Sequence, residues 1–390
     1  MKLGSFYEGL EISREDKIII AKFLKPHVVL STCRAAGGLR RDINYLFNHQ
    51  ACEPHGHHAG LPASAYENPE IYRDYIASRA GLPGPECATL GTAANMHNAA
   101  LVKESFRRHT VVALATGGVE SNAGRVGDPA ALYEEEGLHL NLDQDAPPGH
   151  GTINIMVFFS QELDPGALTR SIVTITEAKT SVLQELGAPS RYSSGLATGT
   201  GTDQVAVACL RDTGPPLTGA GKHTKLGELL GRAVRRAVFE TLAAQNQLTP
   251  RGQGSAWVHL ERFGLGREQL CRRVAARLEE GLAQLWQDNF GEQDRDAPTV
   301  AAVAALAHLK DKLDWGVLPQ TCVPEIFGAY GAQIAAAISG RYELFSRFRQ
   351  ELAPAAPGLD LAALEELAVG ALALGFREKW AFPAEEPPEA

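Results

Sequence analysis

The sequence predicts an α/β or α+β N-terminal domain built on a mixed sheet, followed by a mainly α-helical C-terminal region. Three observations predict it. Strand-like and helix-like patterns interleave before residue 250. The stretch TPRGQGS, Thr249 to Ser255, has the Pro and Gly content of a linker. Beyond it, apolar residues recur at helical spacing. The expected organisation is a first domain over residues 1–250, a helical region over 251–382, and a tail over 383–390. The tail, PAEEPPEA, has too little apolar content to fold and is expected to be disordered.

In chain order, KIIIAKFLKPHVVL, Lys17 to Leu30, reads as short strands, and Ala35 to Gly38 as a turn loosened by its glycines. Arg40 to Gln50 fits a short strand or helix, and Glu53 to Gly60 a loop. Asn68-Pro69 can open a helix over Glu70 to Ala80, because Pro suits a first helical turn. Ala93 to Arg107 also reads helical. Thr110 to Ala115 is strand-like and runs into a polar glycine-rich loop ending at Pro129. GTINIMVFF, Gly151 to Phe159, is the clearest strand. Asp164-Pro165 opens a helix that Gly187 stops. Leu196 to Gly201 is a Gly/Thr turn, and Gln204 to Leu210 a strand. His223 to Gln245 carries one apolar stripe through Leu226, Leu230, Val234 and Val238. In the C-terminal region Arg267 to Trp286, Thr299 to Leu313 and Leu361 to Leu374 are amphipathic.

The bulk numbers exclude several classes. The chain has 390 residues and a net charge of −9, so it lacks the positive excess that a phosphate backbone demands. No nucleic acid and no anionic membrane are expected as partners. No apolar run reaches the roughly 20 residues of a membrane span. The N-terminus has acidic residues where a signal peptide needs an apolar run, and the six cysteines form no CxxC pair. A cytoplasmic location with reduced thiols is the expectation.

Four polar clusters fall at expected strand ends or in loops, where sites tend to lie. TGGVESNAGRVGD, Thr116 to Asp128, offers backbone N–H groups and Asn122, but no phosphate-loop lysine follows. Gly151 to Asn154 opens a strand, and Asn154 has both donor and acceptor for a substrate amide. Thr176-Glu177-Ala178-Lys179 lies on a helix, where Glu177 and Lys179 point in different directions. Ala197 to Asp203, ATGTGTD, sets Thr198, Thr200, Thr202 and Asp203 among glycines, where a hydroxyl could be activated by an adjacent base. Each also has a plainer reading as a turn, a strand entry or a helix cap.

The blocks TGGVESNAGRVGDP, GTINIMV, TEAK, ATGTGTDQ and GKHTKLGELLG occur in that order, preceded by GGLRRDINYLFNHQ and LGTAANMHNAALV. Together they resemble the signature blocks of the adenosylcobinamide amidohydrolase family. The resemblance runs from about residue 27 to 245 and leaves the C-terminal helices unexplained. It implies salvage of incomplete corrinoids, by hydrolysis of the amide between the aminopropanol arm and the corrin propionate. The products would be adenosylcobyric acid and an aminopropanol or its phosphate.

The resemblance names a substrate and leaves the mechanism open. In one route Glu177 or Asp203 activates water or the Thr200 hydroxyl, while Lys179, Asn122 and backbone N–H groups hold the oxyanion. His49, in FNHQ, is a further candidate general base. Gly37, Gly38, Asn48, Asn122, Asn154, Thr198 and Thr202 are the candidate substrate-binding residues. In the other route a divalent metal activates water, with His49, Cys52, His55, His57 and His58 as candidate ligands. No cofactor of the protein's own is otherwise expected, since the cobalt belongs to the substrate. A non-hydrolytic corrinoid-binding protein would use the same residues. The C-terminal helices could also mediate homo-oligomers.

Overall fold

The computed structural model describes residues 1–53, 56–57, 61–62, 64–65, 68–136, 138–142, 151–353 and 360–381. The expected tail over 383–390 lies outside the described residues. The chain divides into two compact units, Met1–Thr249 and Pro250–Ala390. The first holds mixed sheets and the second is mostly helical, as the fold class requires.

In the first unit the strands are β1 Lys2–Phe6, β2 Leu10–Glu15, β3 Ile18–Phe23, β4 His27–Ser31, β5 Gly38–Arg40 and β6 Tyr45–Gln50. They continue with β7 Cys52–Glu53, β8 Gly56–His57, β9 Cys87–Thr92, β10 Ala100–Phe106, β11 His109–Gly118 and β12 Ala123–Gly124. The remainder are β13 Leu132–Glu135, β14 Leu138–Asn141, β15 Thr152–Phe159, β16 Gly199–Thr200 and β17 Gln204–Leu210. One sheet has the order β1-β2-β3-β6-β9, and a second has β10-β11-β15-β17-β4-β5. Both are mixed, because β6 runs parallel to β9 and β15 parallel to β17 while their other neighbours are antiparallel.

These sheets stack face to face between two helical layers. Leu10, Ile12, Ile19, Leu46 and Leu90 of the first sheet share a core with Val112, Leu114, Met156, Phe158 and Ala206 of the second. On the outer face of the second sheet, Ile153, Ile155, Val157 and Val207 pack on the helices Pro165–Glu185 and Lys225–Asn246. On the outer face of the first, Ile18, Ile20 and Phe47 pack on the helix Pro69–Arg79. A strand buried on both faces needs apolar residues at every position, which is why all of β15 is buried and why it reads as an unbroken apolar run. The helix Pro165–Glu185 connects β15 to parallel β17, so both strands begin at the same end of the sheet. Its N-cap Asp164 accepts from Ala167 N at 2.6 Å, and Pro165 occupies the first turn.

Two expected helices differ. Ala93 to Arg107 is a short 3-10 turn, Met96–Asn98, followed by β10. β10 pairs with β11 along its length, from Ala100↔Ala115 to Phe106↔His109. Arg107, with φ 52°, turns the hairpin, so long-range pairing overrides a locally helical pattern. Arg267 to Trp286 is broken into Arg267–Ala275 and Glu280–Asp288. The break returns the Trp286 indole to donate to Cys271 O at 3.0 Å. In a straight helix those residues would be about 22 Å apart.

The second unit's core contains Phe263, Trp286, Phe327, Leu367 and Phe376. Its helices Val323–Ser339 and Leu361–Lys379 pack closely at Gly375, where a Cβ would strike the Ala335 backbone and Ile338. Arg262 and Asp311 form a buried two-bond pair at 2.7 Å. Among the described residues no helix is long and apolar enough to cross a membrane.

Candidate functional site

At one end of the sandwich, several strand ends converge. β6 and β9 finish there at Gln50 and Thr92, β4 finishes at Ser31, and β15 and β17 start there at Thr152 and Gln204. The gap between them is a cleft of about 500 Å³. Its wall includes Thr32, Arg34, Tyr72, Thr92, Gly151, Thr152, Thr202, Asp203 and Gln204. Gln204 Oε1 accepts from Gly91 N at 3.1 Å and so ties the two sheets together beside the cleft.

Asp203 is the best-held polar group in the wall. Its carboxylate accepts from Ile153 N at 2.8 Å, Thr200 N at 3.1 Å, Thr200 Oγ1 at 2.5 Å and the Lys179 ammonium. Lys179 and Asp203 side chains are only 11% and 12% exposed, so this ion pair is shielded from water. Four donors occupy the lone-pair sites of a carboxylate. Asp203 is thereby built to hold Lys179 and the Thr200 loop in place. Gly199 makes this possible, because a Cβ there would collide with Asp203 Oδ2 and Lys179 Nζ.

A second network stands beside it. Thr152 Oγ1 and Thr202 Oγ1 are 2.6 Å apart, and each lies 2.8 Å from Gly151 O. Asn122, 7% exposed, donates Nδ2 to the same carbonyl at 2.9 Å and accepts from Tyr192 Oη at 3.0 Å. Gly151 has φ +155°, and a Cβ there would lie 2.7 Å from Gly118 O, so only glycine fits.

Other candidates lie elsewhere. Asn48 and Asn154 are fully buried between the sheets. Asn48 donates to Thr116 Oγ1 at 2.7 Å, and Asn154 donates to Asn48 Oδ1 at 3.0 Å and Gly91 O at 2.9 Å. They lock the strand ends behind the cleft, and Asn154 Oδ1 has no hydrogen-bond partner among the described residues. The Thr198 hydroxyl accepts from Val126 N at 2.9 Å. Gly37 and Gly38 shape the turn after Arg34 and Ala35, which themselves reach the cleft. Glu177 is exposed and pairs with Lys222 at 3.4 Å on the surface, outside the cleft wall.

His49 lines a neighbouring cleft of about 520 Å³ with Glu15, Asp16, Lys17 and Arg79. Its Nδ1 is 2.7 Å from Tyr72 Oη. Among the described residues no group of three or more His, Cys, Asp or Glu could hold a metal ion. His55 and His58 lie outside the described residues, as do the side chains of Cys52 and His57. The structure therefore brings together Thr200, Thr202, Asp203, Lys179 and Asn122. It leaves Glu177 apart. Thr152 joins the wall from the Gly151–Asn154 cluster, and Arg34 and Tyr72 join it without having been singled out in the sequence.

The family model described as adenosylcobinamide amidohydrolase matches residues 4–250, nearly the whole of the first unit, Met1–Thr249. An uncharacterised protein of Methanocaldococcus jannaschii is 35% identical over 242 residues, covering 60% of this chain and 89% of its own. A Methanosarcina mazei protein named adenosylcobinamide amidohydrolase is 29% identical over 211 residues, 52% of this chain and 84% of its own.

Proposed function

The chain belongs to the adenosylcobinamide amidohydrolase family, and from that premise we propose that it hydrolyses the amide linking the aminopropanol arm to the corrin propionate. The products are adenosylcobyric acid and an aminopropanol or its phosphate. The observation that carries the reading is the coincidence of the family match with the unit that holds the polar cleft. The cleft, about 500 Å³, offers the arm and its amide a wall of hydroxyls and one carboxylate.

Amide hydrolysis needs donors for the tetrahedral oxyanion and a group that moves a proton. The Lys179 ammonium has three N–H donors and uses one on Asp203. Lys179 is not among the described cleft-wall residues, so it acts through Asp203 rather than on the carbonyl oxygen. Thr152 and Thr202 provide hydroxyls for the amide or the attacking water. Asn122 acts by fixing Gly151 and Thr202 rather than by touching substrate.

The test is to incubate the purified chain with adenosylcobinamide and follow adenosylcobyric acid by mass, with and without a chelator. Product insensitive to chelator supports acid–base hydrolysis. Product lost with chelator and restored by a divalent cation assigns the reaction to a metal. Tight binding without product would instead make the protein a non-hydrolytic corrinoid binder.

A further inference from the structure

We propose that Tyr72 is a catalytic residue that exchanges a proton with the substrate or its attacking water, and that His49 receives the proton behind it. This rests on the hydrolase reading above and assigns it the proton-moving groups.

The observations come from both sides of one hydrogen bond. Tyr72, on the helix Pro69–Arg79, lines the cleft that holds Asp203 and Thr152. His49, on β6, lines the second cleft. Their side chains meet at 2.7 Å, with rings edge to face at 5.8 Å, and Ala51 lines both clefts. The pair is a polar bridge from one cleft to the other.

Elimination points to the same pair. Among the described residues of the first cleft's wall, the titratable groups are Arg34, Tyr72 and Asp203. Arg34 remains a cation at any working pH. Asp203 has its acceptor sites filled by Lys179, Thr200 and Ile153. Among the described groups of the wall, Tyr72 is the one hydrogen-bonded to an imidazole, a side chain suited to proton transfer. Burial holds the Tyr72 phenol well above its ordinary range, so it works as a neutral relay and never as a free phenolate. On the far side Glu15, Asp16, Lys17 and Arg79 line the same cleft as His49.

The step balances. Water attacks the amide carbon, and its proton passes to Tyr72 Oη as the phenol proton passes to His49 Nδ1. When the C–N bond breaks, the proton returns from His49 to Tyr72, and Tyr72 protonates the departing nitrogen. No other reagent is consumed.

Full-length Tyr72→Phe and His49→Gln are compared with wild type on adenosylcobinamide. Each is expected to lower kcat about 100-fold or more with little change in KM, as general acid–base groups do. The double substitution should be no worse than the weaker single variant, because the two act as a unit. A fall confined to kcat with KM held, together with the non-additive double variant, is what a purely structural role would not produce. Circular dichroism and corrinoid binding monitor the fold. Wild-type turnover that Tyr72→Phe retains within about threefold overturns the relay alone. Absence of wild-type turnover overturns the hydrolase reading and the relay with it.

Discussion

Replacing Asp203 by Asn leaves the Lys179 ammonium charged, 11% exposed and without its counter-ion. Removing one partner of a buried pair costs about 3–5 kcal/mol, because the remaining charge is stranded. The new NH2 faces a donor in either orientation, Thr200 N and Lys179 on one side or Ile153 N on the other. Replacing Lys179 by Met is milder. Asp203 keeps Ile153 N, Thr200 N and Thr200 Oγ1, so only one charged hydrogen bond goes, worth about 1.5–3 kcal/mol. With both replaced, no charge is buried, and the loss should fall short of the sum by about 1 kcal/mol or more. The two units can be read separately. All the tryptophans, Trp257, Trp286, Trp315 and Trp380, lie in the second, so their fluorescence in urea follows residues 250–390. Hydrogen exchange of peptides covering Thr152–Phe159 and Gln204–Leu210 follows the first. The variants should lose protection there and leave the tryptophan transition in place. Single variants that each cost under about 0.5 kcal/mol, or that simply add, would refute the account of Asp203 as a shielded anchor.

Other substitutions separate site from surface. Gly199→Ala drives a methyl between Asp203 and Lys179, and kcat/KM should fall about 100-fold by displacing them; steady-state kinetics on a folded variant checks this. Glu177→Gln should leave turnover within about twofold and stability within about 0.5 kcal/mol, since its contact with Lys222 is at the surface. His27 is buried and desolvated, with its pKa pushed down to about 4 from 6.5. Between those values the unfolded chain binds a proton that the folded chain refuses. Stability of the first unit should therefore be full above about pH 6.5 and fall by about 3 kcal/mol towards pH 4. Exchange protection against pH, compared with His27→Gln, isolates that contribution.

Much of the fold was readable because it is local. Gln204–Leu210 and Thr152–Phe159 follow from apolar runs, and Pro165–Glu185 from its Asp-Pro start and Gly187 stop. The stacking of two sheets between helices was not, because it depends on which strand faces which. That also explains the misread Ala93–Arg107, whose strand exists only through pairing with β11. In the site, TEAK and ATGTGTD signalled polar density, and the fold joins them through Lys179 and Asp203. It does not bring in Glu177, because residues two apart on a helix face different ways. Tyr72 and Arg34 carry no local signature, as each is a single residue in ordinary surroundings that the fold turns toward the cleft.

The central claim is that water cleaves the arm amide. Turnover of adenosylcobinamide in water labelled with heavy oxygen tests it most directly. The account predicts adenosylcobyric acid carrying one labelled oxygen in its new carboxylate, together with unlabelled aminopropanol. Recovery of intact adenosylcobinamide after prolonged incubation with folded, corrinoid-binding protein would contradict it.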